Sequence, residues 1–187
     1  MHHLFSHKVV ALPVLLMLAL LSGCACAPPV AKQARLGLKL APASLGENFS
    51  VQQHLKVERN GRIDELDAAL EVDAGQLELV GLAFGQRVLS LSYDGKELKS
   101  WRHMMLPAQV RAEDVLEDMQ LSLWPVQAIA QALPAGWRIE EQGLRRTLYL
   151  DNELVTSIDY SRMPRWSGTV VLNNLRYHYR LTIQSAP

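Results

Sequence analysis

The sequence is poor in cysteine, has no excess of either charge and contains no long apolar run. Two cysteines in 187 residues cannot build a disulfide framework. Nineteen basic residues balance nineteen acidic ones, which argues against a nucleic-acid binder, because such proteins carry a basic excess or stripe. The catalytic signatures are missing as well: there is no Gly-x-Ser-x-Gly elbow, no His-Glu-x-x-His, no P-loop and no dinucleotide fingerprint. What remains is 49% hydrophobic and 20% charged, an ordinary balance for one globular domain and too apolar for a disordered chain.

The longest apolar run, Val9 to Leu21, follows Lys8 and three histidines. As a helix it spans about 20 Å, short of the ~30 Å hydrocarbon core of a bilayer. A basic start and an apolar run of this length form a secretory signal. The run ends in Leu21-Ser22-Gly23-Cys24, which resembles the bacterial lipobox. That resemblance implies a leader over residues 1–23 and diacylglycerol on the Cys24 thiol. Two or three acyl chains hold a protein stably at a bilayer, where one does not. Ala25, in place of an aspartate that would mark inner-membrane retention in enterobacteria, implies the outer membrane. Residues 24–44, with Pro28, Pro29, Pro42 and several small side chains, read as the acylated cysteine and a flexible tether. Cys26 lies in it as a free or second acylated thiol.

Residues 45–187 read as a single mainly-β domain with short helices. Phe49, Val51, Leu55 and Val57 alternate with polar residues up to the Asn60-Gly61 turn, the pattern of a half-buried strand entering a hairpin. Leu66–Val72, Leu77–Leu82, Arg87–Tyr93 and Glu97–Trp101 continue it, with Leu89, Leu91 and Tyr93 on one face. Around Ala112 the period changes to that of a helix, with Glu113 and Asp114 in its first turn. Trp124-Pro125 ends it, and Pro125 suits the start of a second helix that stops at Pro134-Ala135-Gly136. Strands resume over Arg146–Leu150, Glu153–Tyr160, Gly168–Asn173 and Tyr177–Ile183. Nine or ten strands with one apolar face must curl or be covered, and two amphipathic helices in mid-chain suit the open concave side.

The order of lipobox, hairpins, Leu82-to-Gly95, helices ending at Trp124-Pro125 and Leu133-to-Trp137, Ile158-Asp159-Tyr160 and a Tyr-rich last strand resembles an uncharacterised family of bacterial lipoproteins found in aryl-polyene lipid gene clusters. That family is similar in element order to the outer-membrane lipoprotein carrier and receptor LolA and LolB. The resemblance covers about residues 45–185. It implies a curved, unclosed antiparallel β-barrel with two short lid helices, holding acyl chains in an apolar cavity. Leu89, Leu91, Met104, Met105, Trp124 and Trp137 are the expected cavity residues, and Phe84, on the loop Gly81–Gly85, the expected membrane contact. Core packing is the competing role for each.

The expected function is that of a lipid-anchored periplasmic protein binding a lipid or lipoprotein acyl chain, with an aryl-polyene lipid as a candidate, and the expected partners are the membrane and such acyl chains. The alternative is a non-enzymatic assembly lipoprotein that binds another envelope protein through its surface. No enzyme, metal or cofactor is expected. Once the leader is removed, His54, His103 and His178 are far apart in sequence, and the pairs Glu113-Asp114, Glu117-Asp118 and Glu140-Glu141 read as solvated faces. A hydrolase would need a serine, a histidine and an acid brought together by the fold.

Overall fold

The computed structural model describes residues 35–186. The leader, Cys24, Cys26 and the first part of the tether lie outside the described residues. Ten strands form one antiparallel sheet: β1 (Phe49–Arg59), β2 (Arg62–Val72), β3 (Leu77–Ala83), β4 (Gln86–Tyr93), β5 (Leu98–Arg102), β6 (Trp137–Gln142), β7 (Arg145–Leu150), β8 (Glu153–Tyr160), β9 (Thr169–Asn174) and β10 (Tyr179–Ser185). The helices α1 (Ala112–Leu123) and α2 (Val126–Ala132) lie between β5 and β6 in the chain. The spatial order is β5-β4-β3-β2-β1-β10-β9-β8-β7-β6. Each half is a meander of chain neighbours, and β1 with β10 is the seam between them.

The sheet is unclosed, with β5 and β6 at its edges; α1 touches β5 and α2 touches β6. Laid flat, ten strands would extend over ~43 Å at about 4.8 Å per spacing. Inward residues from both halves, among them Leu70, Leu91, Leu148, Leu172 and Ile183, nevertheless join one buried cluster with Leu116, Trp124 and Ile129 of the helical region. The sheet therefore curls around the helices. This is the unclosed antiparallel architecture with two short helices that the sequence pattern led us to expect.

Three two-residue turns make the hairpins tight: Asn60-Gly61, Phe84-Gly85 and Asp151-Asn152, all with positive φ at both positions. Such turns match the right-handed twist of the flanking strands. A side chain at Gly81 would meet Leu66 Cδ1 at 2.9 Å, which explains a glycine in the middle of β3, where its pairing with β4 also shifts register. β2 starts at Arg62, four residues before the apolar pattern, because hairpin pairing with β1 carries it past the core. β6 has little signal in the sequence, since only Trp137 and Ile139 mark its inner face. β9 runs through Asn174, one residue past the expected Asn173, and the turn to β10 lies at 175–178.

The domain also begins earlier than expected. Residues 35–44 were read as tether, but the compact unit starts at Arg35. Leu38, Leu40, Pro42 and Leu45 are buried, while Gly37, Lys39 and Ala41 are exposed. This alternation makes the segment a strap lying along α1, closed by a 3-10 turn at Pro42–Leu45.

Candidate ligand-binding interior

The concave side of the sheet is occupied by α1, which is buried on more than one side. All residues from Leu116 to Leu123 are buried, including Glu117, Asp118, Gln120 and Ser122. Leu116, Leu121 and Leu123 join the core cluster with the sheet. The polar residues meet the strap. Leu40 donates its N–H to Gln120 Oε1 at 2.9 Å and accepts from Gln120 Nε2 at 2.8 Å. Gly37 N–H donates to Glu117 Oε2 at 2.6 Å, and Trp124 Nε1 donates to the carbonyl of Ala41 at 3.2 Å and to Ser44 Oγ at 3.0 Å. The strap thus pairs with the helix through side chains, and supplies the partners that buried polar groups require.

The Glu117-Asp118 pair, expected on a solvated face, is therefore buried beneath the strap. Arg35 stands over it, with its guanidinium 3.5 Å from Asp114, 3.7 Å from Glu117 and 3.3 Å from Asp118. Tyr179 donates to Asp118 at 2.6 Å and accepts from Arg35 at 3.2 Å. Three carboxylates share one cation here, two of them deeply buried. Burial pushes Asp118 up to about 7, against the pull of Arg35 and of the Tyr179 hydroxyl. Glu117 is raised too, again chiefly by burial. Burial also raises Tyr179, and the Asp118 charge adds to it.

At the other end of α1 the sheet caps the helix. Arg146, on the inward face of β7, is 1% exposed and donates to the carbonyl of Leu121. Tyr160 donates to the carbonyl of Ser122 at 2.7 Å. These carbonyls belong to the last turn, which has no partners within the helix, and a cation there also complements the helix dipole. Arg146 is in turn held by Glu141, at 3.0 and 2.6 Å, and Arg165 reaches the second carboxylate oxygen at 2.7 Å. Burial raises Glu141, but the hydrogen bonds of the two arginines outweigh it and hold the carboxylate below its ordinary value. Burial lifts the Tyr160 hydroxyl to about 12.

The second helix is held far less. Of its seven residues only Ile129 is buried, and its N-cap has no side-chain hydrogen bond. Trp124 and Trp137 stand at its two ends. Trp124 is fully buried, while Trp137 is partly buried and packed against the core.

The six expected cavity residues therefore divide. Leu89, Leu91 and Trp124 meet in the buried cluster, with Trp137 against it. Met104 and Met105 do not join them: they lie on the 103–111 segment and are exposed, Met104 to 90%. Their segment meets β4 at its start, where His103 N–H donates to the Val88 carbonyl at 2.8 Å, and both methionine side chains lie exposed beyond that contact. Phe84 is not in the core; it is 95% exposed. The loop that carries it is only Phe84-Gly85, since β3 continues through Ala83. His54 and His178 are exposed, and His54 pairs with Asp67 at 2.9 Å. Among the described residues, no group of three or more His, Cys, Asp and Glu is placed to hold a metal ion.

The sequence does not single out Arg35, Tyr179 or Arg146, and Asp118 enters it only as part of a solvated pair. Arg146 carries a readable signal, because it shares a face with Leu148 in an alternating strand. So does the Leu36-Leu38-Leu40 spacing of the strap.

A family model described as "Protein of unknown function (DUF3261)" matches residues 50–187. The chain belongs to the DUF3261 family. The match begins inside β1, so the strap precedes it. No curated protein matches the chain. Among solved structures, a DUF1329 family protein from Desulfovibrio piger ATCC 29098 is similar over 73% of this chain and 82% of its own, at 12% identity and a TM-score of 0.33. The Pseudomonas aeruginosa MucA/MucB complex contains a chain similar over 78% of this one, at 16% identity and a TM-score of 0.40. This chain covers 54% of that chain's length. Neither superposition is close enough to assign a role to this DUF3261 protein.

Proposed function

We propose that this DUF3261 protein is a non-enzymatic binding protein of the cell envelope. It is held at a membrane by acyl chains on Cys24 and shelters an acyl chain of a lipid or lipoprotein beneath α2. The observation that carries this reading is the unequal hold on the two helices. The strap and Arg35 hold one end of α1, and Arg146 and Tyr160 hold the other. By contrast, α2 rests on the edge strand β6 with one buried side chain. Lifting α2 uncovers apolar surface around Trp124, Trp137 and Leu133. An acyl chain placed there gains about 0.8 kcal/mol for each CH₂ taken out of water. No bond to the ligand is made or broken.

The leader and Ala25 support an outer-membrane site facing the periplasm, and the family resemblance keeps an aryl-polyene lipid as a candidate ligand. Phe84 is the candidate membrane contact, at the tip of its hairpin. The test is native mass spectrometry of the mature chain purified from envelopes, with uptake of a fluorescent fatty acid measured alongside. A bound acyl species is expected, with faster uptake in Ile129→Ala, which loosens α2. A chain that carries no adduct and takes up no probe overturns the reading.

The burial of α1 against the concave side of the sheet favours a second reading, in which the domain binds an envelope protein through its outer surface. Cross-linking from surface positions to one envelope protein, unchanged in Ile129→Ala and Leu133→Ala, supports it over the first.

A further inference from the structure

The strand registers place four turns at one end of the sheet: 60–61, 84–85, 151–152 and 175–178, together with the segment 103–111 that leaves β5. The opposite end carries 73–76, 94–97, 143–144 and 161–168. Two features single out a sector of the first end. From Leu79 to Tyr93, and again from Leu98 to Ala112, there is no Asp or Glu, while Arg87, Lys99, Arg102 and Arg111 are present. The same stretches expose Leu82, Trp101, Met104 and Met105. The Arg87 guanidinium lies 4.7 Å over the Trp101 ring, and Trp101 meets the His103 ring edge-on at 6.0 Å. Arg102 donates to the Pro107 carbonyl at 3.0 Å, which folds the methionine segment back on the sheet. Of the four cations, Lys99 pairs with Glu97 at 3.3 Å and Arg111 with Glu113 at 3.5 Å, which leaves Arg87 and Arg102 to carry the charge of this end. On β2 the neighbouring Asp67, opposite Leu82, is engaged by His54.

The third observation is independent of composition. The chain enters the domain at this same end. Arg35, the first described residue, packs on Tyr177 and Tyr179 beside the 175–178 turn and pairs with Asp114 in the first turn of α1. Cys24 lies eleven residues upstream, a length that spans at most roughly 40 Å.

We infer that the rim of the sheet that carries Arg87, Trp101, Arg102 and Met104 docks on an anionic bilayer surface, turning this end of the domain toward the membrane. The inference rests on the Cys24 anchor proposed above. The chemistry is complementary throughout. Arginines meet lipid phosphates as bidentate donors, a tryptophan suits the boundary between headgroups and acyl chains, and flexible methionines adapt to an irregular apolar surface. An anchor on a link of this length raises the effective concentration of the bilayer at the domain, so modest affinity suffices.

The test uses the mature acylated chain in vesicles of phosphatidylcholine alone or mixed with phosphatidylglycerol. Peroxide oxidation of Met104 is compared with that of Met163, which is exposed at the opposite end. The mass of the purified chain is read first. Absence of acyl mass at Cys24 defeats the anchor reading, whatever Met104 does. With the anchor present, phosphatidylglycerol is expected to protect Met104 and leave Met163 unchanged. Each basic residue near an anionic surface is worth about fivefold in binding, so R87Q/R102Q should weaken protection about 25-fold, and R145Q, at the far end, should not. Equal oxidation of Met104 on both vesicles, or equal protection in R87Q/R102Q and R145Q, overturns the inference. So does protection seen only on native envelope vesicles, which assigns the face to a protein.

Discussion

The Gln120 side chain and the Leu40 backbone exchange two hydrogen bonds, 2.9 and 2.8 Å long, as a neighbouring strand would. Both residues are buried. Gln120→Leu keeps the bulk but leaves an N–H and a carbonyl of the strap without partners. Buried unpaired groups are worth about 1–3 kcal/mol each, so the substitution should destabilise by about 2–5 kcal/mol. Urea unfolding reads this directly. A loss below ~1 kcal/mol would mean that the strap does not depend on the pairing.

Asp118 gives stability a pH dependence of unusual sign for a carboxylate. Its folded value is raised, from 3.8 to about 7. The proton is therefore held more tightly in the folded chain than in the unfolded one. The contribution is fully present below pH ~4, is lost progressively as pH rises from about 4 to about 7, and is absent above that. Glu117, also raised, acts in the same sense, while Arg35 and Tyr179 oppose the loss by favouring or hydrogen-bonding the charged form. Asp118→Asn imitates the protonated state. The stability of wild type relative to D118N should fall between pH ~4 and pH ~7. A constant difference across that range would show that Asp118 titrates normally.

Arg146 caps α1 from the sheet and neutralises Glu141. Arg146→Met should cost about 3–5 kcal/mol, because it strands a buried carbonyl and removes a buried ion-pair partner. Chemical denaturation of R146M against R145M, one position away on the exposed face, separates this from a general loss of charge. Similar losses in the two variants would refute the capping role.

Phe84 stands where the other two tight turns have Asn60 and Asp151, at a φ of 51°. Asparagine and glycine adopt that conformation readily, and a bulky aromatic does so at a cost of about 1 kcal/mol. Phe84→Asn should raise the melting temperature slightly while weakening vesicle binding of the full chain carrying Cys24→Ser, which has no anchor to mask the loss. A lower melting temperature would mean that the exposed ring contributes to folding.

Much of this architecture was legible because most strands have one wet face and one buried face, so period two survives in the sequence. The turns were legible where Asn-Gly announces them. The interior was not, because its polar members are hidden by a segment that looks like a linker. Leu36, Leu38 and Leu40 alternate, yet their small and proline-rich surroundings resemble a tether, and without the strap Glu117 and Asp118 read as solvated. Arg146 escaped attention because the arginine is buried through a helix terminus brought from 25 residues away. Met104 and Met105 read as core because an apolar pair next to a helix resembles it, whereas both side chains are exposed on a segment that the Arg102–Pro107 contact folds back on the sheet.

The seam between β1 and β10 has a consequence for how the chain folds. All the other strand pairs join neighbours in sequence, so each five-stranded meander can assemble from local contacts. The seam brings Lys56 opposite Thr182 and Leu55 opposite Ile183, and this needs a loop of more than a hundred residues to close. Closure entropy grows with loop length, and distant pairings slow folding. Until the seam forms, β1 and β10 are open edges with free backbone groups, and two chains caught in that state could complete each other's sheets by exchanging halves. The anchor proposed at Cys24, by holding copies side by side on a membrane, would raise their local concentration while those edges are open.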